Sequence, residues 1–97
     1  MNEETTMNEE LLLKALRVDL GITSEAFSQR LLSRIRTAQA RIEEEGITLE
    51  DTEQDRDLVV MYAAYLWRSR TSGEGMPRML RYALNNRLFS RKAAGEG

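Results

Sequence analysis

The side chains of this chain that would carry chemistry are six serines, two lysines and a run of carboxylates. Ser24, Ser28, Ser33, Ser69, Ser72 and Ser90 have no histidine to serve as a base, because the sequence contains none. Cysteine is absent as well, which excludes disulfides, thiolate zinc sites and cysteine nucleophiles. The commonest metal ligand and the commonest general base are thus both missing. A serine–lysine dyad would have to use Lys14 or Lys92. Neither stands in a motif, and no serine sits in a strand–turn–helix elbow. The carboxylates of EDTEQDRD, Glu50 to Asp57, come near the spacing of a calcium loop. They lack the central glycine and the closing glutamate that such a loop needs. Gly73 and Gly75 lack the lysine and hydroxyl residue that end a phosphate loop. No catalytic residue, metal site or cofactor is therefore expected, and the chain is read as a non-enzyme that acts through its exterior.

Arginine is the remaining functional side chain. Twelve of the fourteen cations are arginine, which pairs with carboxylates through two parallel bonds and suits interfaces better than lysine does. Arg30, Arg34 and Arg41 fall in one narrow arc of a predicted helix and would track phosphates. Arg78, Arg81, Arg87 and Arg91 add charge further on, but Arg78 and Arg81 project from a different side than Arg87 and Arg91. The isoelectric point near 5.2 argues against a dedicated DNA reader, which is usually basic.

Four helices would have to position these groups, and no strand alternation or hairpin signal appears. Thr6 with Glu9 suggests a capping box opening a first helix near Met7, with Leu12, Leu13, Leu16 and Leu20 at helical spacing before Gly21. Ser24 is a good N-cap for a second helix running to about Glu45. Phe27, Leu31, Ile35, Ala38 and Ile42 form its apolar stripe. Glu43, Glu44 and Glu45 crowd its last turn, where the helix dipole disfavours anions unless a cation stands close. After a short acidic link, Thr52 and Asp55 suggest the cap of a third helix reaching about Thr71. Its middle, Leu58 to Trp67, is apolar without a break, as in a helix buried on several sides. Ser72 to Gly75 is a flexible connection, and Pro77 fits the first position of a fourth helix. That helix would face inward with Met76, Leu80, Ala83 and Leu84, Met79 beside them, and end near Leu88 and Phe89.

The expected fold is all-α: a compact bundle of about four helices with short, roughly antiparallel connections. One domain would cover 7–89, between a loose N-terminus (1–6) and a C-terminal tail (90–97) that is disordered in isolation. Its expected core is Phe27, Leu31, Ile35, Ile42, Leu58, Met61, Tyr62, Tyr65, Leu66, Leu80 and Leu84. The tyrosines and Trp67 are read mainly as core. The opening MNEETTMNEE is too acidic for a signal peptide, and no apolar run reaches the roughly 18 residues of a membrane span, so cytosolic synthesis is expected.

The net charge of −2 hides an asymmetry. Eight acidic residues lie between Glu43 and Asp57 against Arg56 alone, and seven basic residues lie between Arg68 and Lys92 against Glu74 alone. For any single residue, solvated surface charge is the plainer account. As a pattern, unlike patches let neighbouring subunits attract. The candidate subunit interface comprises Arg30, Arg34, Arg41, Glu43, Glu44, Glu50, Asp51, Glu53, Arg78 and Arg81.

In order, LLLKALRVDLGI (11–22), RIRTAQARIEEEGI (34–47), DLVVMYAAYLWRSR (57–70) and MPRMLRYALNNRL (76–88) resemble the small head–tail connector proteins of tailed bacteriophages and prophages. The likeness covers 11–88, nearly the whole predicted domain. Each piece is weakly specific; their order and the short length are more telling. The resemblance implies a helical, non-enzymatic virion protein that forms a ring, usually of twelve copies, on the portal of a filled capsid. Such a ring lines part of the DNA exit channel and seats the next connector or tail protein. The implied partners are other copies of the chain, the portal, that next component and passing DNA without sequence specificity. No membrane is implied. The implied location is the head–tail junction of the virion, and the bacterial cytoplasm before assembly. Leu88, Phe89, Arg91 and Lys92 would be the candidates for portal or neighbour contact. The alternatives are a small helical regulatory module that binds nucleic acid, or a generic protein-interaction domain.

Overall fold

A computed structural model describes residues 7–96, with side chains through residue 90. Its elements are α1 (Glu9–Leu20), a 3-10 turn (Glu25–Phe27), α2 (Ser28–Glu44), α3 (Glu53–Ser72) and α4 (Arg78–Glu96), and no strand occurs among the described residues. The fold is an all-α bundle, as the sequence predicts. The expectations for residues 1–6, including a cap at Thr6, lie outside the described residues.

Local chemistry sets each boundary. The Asn8 side chain accepts hydrogen bonds from the Glu10 and Leu11 amides at 2.9 and 3.3 Å, satisfying donors that a helix start leaves open. α1 ends at Gly21, whose φ of 72° lets the chain turn back so that the Ile22 amide reaches the Arg17 carbonyl at 2.9 Å. Ser24 does cap, accepting from the Ala26 amide at 3.0 Å, but it opens the 3-10 turn and α2 proper begins at Ser28. Thr52 caps α3 as expected, its hydroxyl accepting from the Asp55 amide at 3.2 Å. Pro77 precedes α4 by one position, and its carbonyl accepts from the Arg81 amide at 3.1 Å. α4 is longer than expected and runs to Glu96 through the stretch that composition alone reads as a tail. Arg91, Lys92, Ala93 and Ala94 are all good helix formers, so propensity favours the continuation.

α3 is the central element, packed against α2 along most of its length and against α1 on a second side. α4 rests chiefly on α3. The domain is a plate of 46 × 33 × 18 Å. Helices pack about 8–10 Å apart, so the plate is about two helices thick. Leu12 and Leu16 of α1, Leu31, Ile35, Ala38 and Ile42 of α2, and Leu58, Val59, Tyr62, Ala63, Ala64 and Trp67 of α3 form its core with Leu80 and Leu84 of α4. Each fully buried leucine or isoleucine contributes about 1.5–3 kcal/mol relative to leaving it exposed.

Part of the expected core is corrected. Phe27 and Met61 are exposed, and Tyr65 and Leu66 are only half-buried. Phe27 falls in the 3-10 turn, out of register with the α2 stripe, and lies edge-on against Trp67 with ring centroids 5.8 Å apart. Met61 points from the one side of α3 that no helix covers. Met7, Ile47 and Leu49 join the core instead. The α2–α3 link, read as acidic, thus also plugs the bundle with two apolar residues. Trp67 is buried, with the Arg70 guanidinium 3.8 Å from its ring centroid.

Candidate functional site

Among the described residues no three His, Cys, Asp or Glu side chains are placed to hold a metal ion. The carboxylates of 50–57 are turned to other uses. Asp51 meets Arg56 at 2.6 Å, and Asp55 is pulled into the interior.

Asp55 anchors a buried clamp that sequence reasoning missed. Its carboxylate accepts from Arg87 Nε at 2.7 Å, from Arg87 Nη2 at 3.0 Å and from the Glu50 amide at 2.8 Å. Arg87 Nη2 also donates to the Thr48 carbonyl at 2.9 Å. Burial alone would raise the Asp55 pKa, but the Arg87 and Glu50 hydrogen bonds and the Arg87 charge outweigh it and hold the carboxyl below its usual range. The same pairing with Asp55 raises the Arg87 pKa against the opposing effect of burial. One ion pair therefore ties α4 to the start of α3 and to the α2–α3 link. The signal was present in the sequence: Arg87 continues the helical stripe of Leu80 and Leu84 and so had to point inward.

A second ion pair answers the crowded carboxylates ending α2. Arg81 holds Glu45 in a forked contact at 2.8 and 3.1 Å, the cationic neighbour that this helix end needs. Arg81 is thus already paired within its own chain. Arg41 is partly committed as well. It lies against the Tyr62 hydroxyl, whose pKa is raised chiefly by burial while Arg41 pulls it down. Glu9, not singled out from the sequence as a charge partner, is bridged by Arg36 at 2.9 Å through both carboxylate oxygens.

The other candidates divide cleanly. Arg30 and Arg34 near the start of α2, and Arg78 at the start of α4, have no carboxylate within 4.0 Å among the described residues. Arg34 is half-buried, and its Nε is buried without a hydrogen-bond partner. At the other end of α2, Glu43 and Glu44 are exposed, with Glu50, Asp51 and Glu53 exposed beyond them. On α2, Arg30 and Arg34 thus stand toward the opposite end from Glu43 and Glu44, about 14–21 Å away at 1.5 Å per residue. Leu88 is half-buried, with its Cδ1 3.6 Å from where a Cβ on Gly46 would stand, so α4 packs closely against that turn. Phe89 is 67% exposed. Arg91 and Lys92 have no described side chains.

An apolar groove of about 930 Å³ lies elsewhere, between α1, α3 and the start of α4. Leu11, Val18, Val60, Met61 and Tyr65 line it. Tyr82, read as core, is instead exposed on the outer side of α4 together with Met79 and Phe89.

No family model, curated protein or solved structure matches this chain. Function is therefore read from these surfaces. No helix among the described residues is long and apolar enough to cross a membrane.

Proposed function

We propose that the chain is a structural head–tail connector of a tailed phage or prophage, assembling as a ring on the portal and lining part of the DNA exit channel. The observation that carries this reading is the placement of unlike charge on α2. Arg30 and Arg34 stand uncommitted near one end, and Glu43 and Glu44 stand exposed at the other. A ring needs a surface that meets a different surface on the next copy, and a helix charged oppositely at its two ends supplies one. The order of helical motifs over 11–88 supports the same assignment. In this reading the protein performs no reaction. Its partners are its own copies, the portal and the next connector or tail component. Passing DNA would meet side chains that do not grip it, which suits a channel.

Negative-stain imaging of the purified chain, alone and mixed with the portal of its particle, tests the proposal. Rings, or density added to the portal, are expected. Reversing Arg30 and Arg34 to glutamate should weaken that assembly while helical content by circular dichroism stays unchanged. Monomers that ignore the portal would contradict it. One observation favours a second reading, a helical module binding nucleic acid: Arg30, Arg34 and Arg41 share an arc, and Arg34 Nε lacks a partner. Binding to duplex DNA that falls steeply with added salt would decide for that alternative.

A further inference from the structure

α4 is apolar on two faces. Leu80 and Leu84 face the core, whereas Met79, Tyr82 and Phe89 face outward, 74%, 59% and 67% exposed. With Asn86, the outward residues recur at helical spacing and form a single stripe. From Met79 to Phe89 it is about 15 Å long at 1.5 Å per residue. The groove on the other patch has matching dimensions. Its α3 wall runs from Asp57 to Ser69, about 18 Å by the same rise. Its α1 wall offers Leu11 and Val18, 52% and 76% exposed. Two helices flanking an open apolar trough are the shape that accepts a third helix.

We infer that the outer stripe of α4 docks into the α1–α3 groove of a second copy of this chain. Charge selects this occupant. Asp57 and Glu74 lie in the groove wall with no cation within 4.0 Å among the described residues. Arg78 edges the stripe, likewise without a carboxylate, and Asn85 and Asn86 add neutral polar groups. The groove's own cations do not block the approach. Arg68 is turned to Asp19 at 3.7 Å, and Lys14 lies on α1, on a long flexible stem. Met79 stands at the border of both patches, so an inserted helix would also touch it. The inference rests on the reading that the chain assembles with itself, and it adds an apolar contact to the charged ends of α2.

The absence of cysteine makes the test clean. Tyr82→Asp spoils only the stripe and Val18→Asp only the groove, and both positions are exposed enough to leave folding intact. Each variant alone should associate at least about tenfold more weakly than the wild type, the scale of a central interface residue. Mixed together they should recover a one-to-one dimer, because each supplies the surface the other lacks. A chain carrying Tyr82→Cys should form a disulfide with one carrying Val18→Cys. Failure of the mixture to dimerise, bonding only between two Tyr82→Cys chains, or a wild-type chain that stays monomeric to millimolar concentration would overturn the contact. A wild type that stops at a dimer, while the Tyr82→Cys and Val18→Cys chains do link, keeps the contact and removes the ring. Rings that lack the link keep the ring and remove the contact.

Discussion

α3 and α4 both carry many large apolar side chains, and they place them differently. α3 is surrounded. α2, α1 and α4 cover most of its circumference, and the uninterrupted run from Leu58 to Trp67 finds partners on nearly every side. α4 rests chiefly on α3 and on the α2–α3 turn and has two apolar faces, of which the outer one stays open. Their polar residues differ in the same sense. Asp55 of α3 is buried because Arg87 of α4 reaches it, whereas Arg78, on the outer side of α4, meets no carboxylate. The difference teaches that apolar content alone does not locate a core. A helix records its partners in how many of its apolar faces are covered, and an uncovered one marks where something else binds.

The comparison can be broken most severely in α3. Leu58→Asp places a charge in the apolar core, and should destabilise the domain by about 4 kcal/mol or more, enough to abolish a cooperative thermal transition. A normal melt would refute the central position of α3. Next in size is the clamp. Arg87→Met leaves Asp55 buried and unpaired and should cost about 3–5 kcal/mol by urea denaturation. The pH dependence carries the sign. The Asp55 pKa is depressed in the folded state, so its contribution is present above the unfolded value of about 3.9 and fades as pH falls through the folded value. The wild type should therefore lose stability on acidification below about pH 4. The Arg87→Met chain should narrow its deficit there, because protonating Asp55 removes the unpaired charge. A deficit that stays constant with pH would show that the clamp is not ionic. Smaller still, Arg81→Ala breaks an ion pair open to solvent and should cost at most about 1 kcal/mol. On the outer face of α4, Tyr82→Ser should shift stability by no more than about 0.5 kcal/mol. A large loss there would mean that this face is already covered within the chain.

Much of the fold was legible because helix ends are written in local chemistry. Ser24, Thr52, Gly21 and Pro77 each mark a boundary to within a few residues, and the α2 stripe from Leu31 to Ile42 is buried as spacing demands. Register was lost where regular helix gives way to another geometry, as at Phe27 in its 3-10 turn. Met61 and Tyr82 misled for a different reason: periodicity says which residues share a face, but not whether that face is covered. Arg87 shows the converse error, an arginine on a core stripe read as surface charge although its spacing pointed inward. Of the candidate surfaces, the split of charge along the chain was readable. Which arginines are already held by their own chain was not, since Arg81–Glu45 and Arg87–Asp55 join residues far apart in sequence.

The claim beneath all of this is that the molecule works by presenting its outside to other proteins. Sedimentation velocity of the unmodified chain, from micromolar to millimolar concentration and then with the portal added, measures that most directly. The expected result is a mass that climbs with concentration, or a complex that forms once the portal is present. A single monomer boundary under every one of these conditions would contradict it.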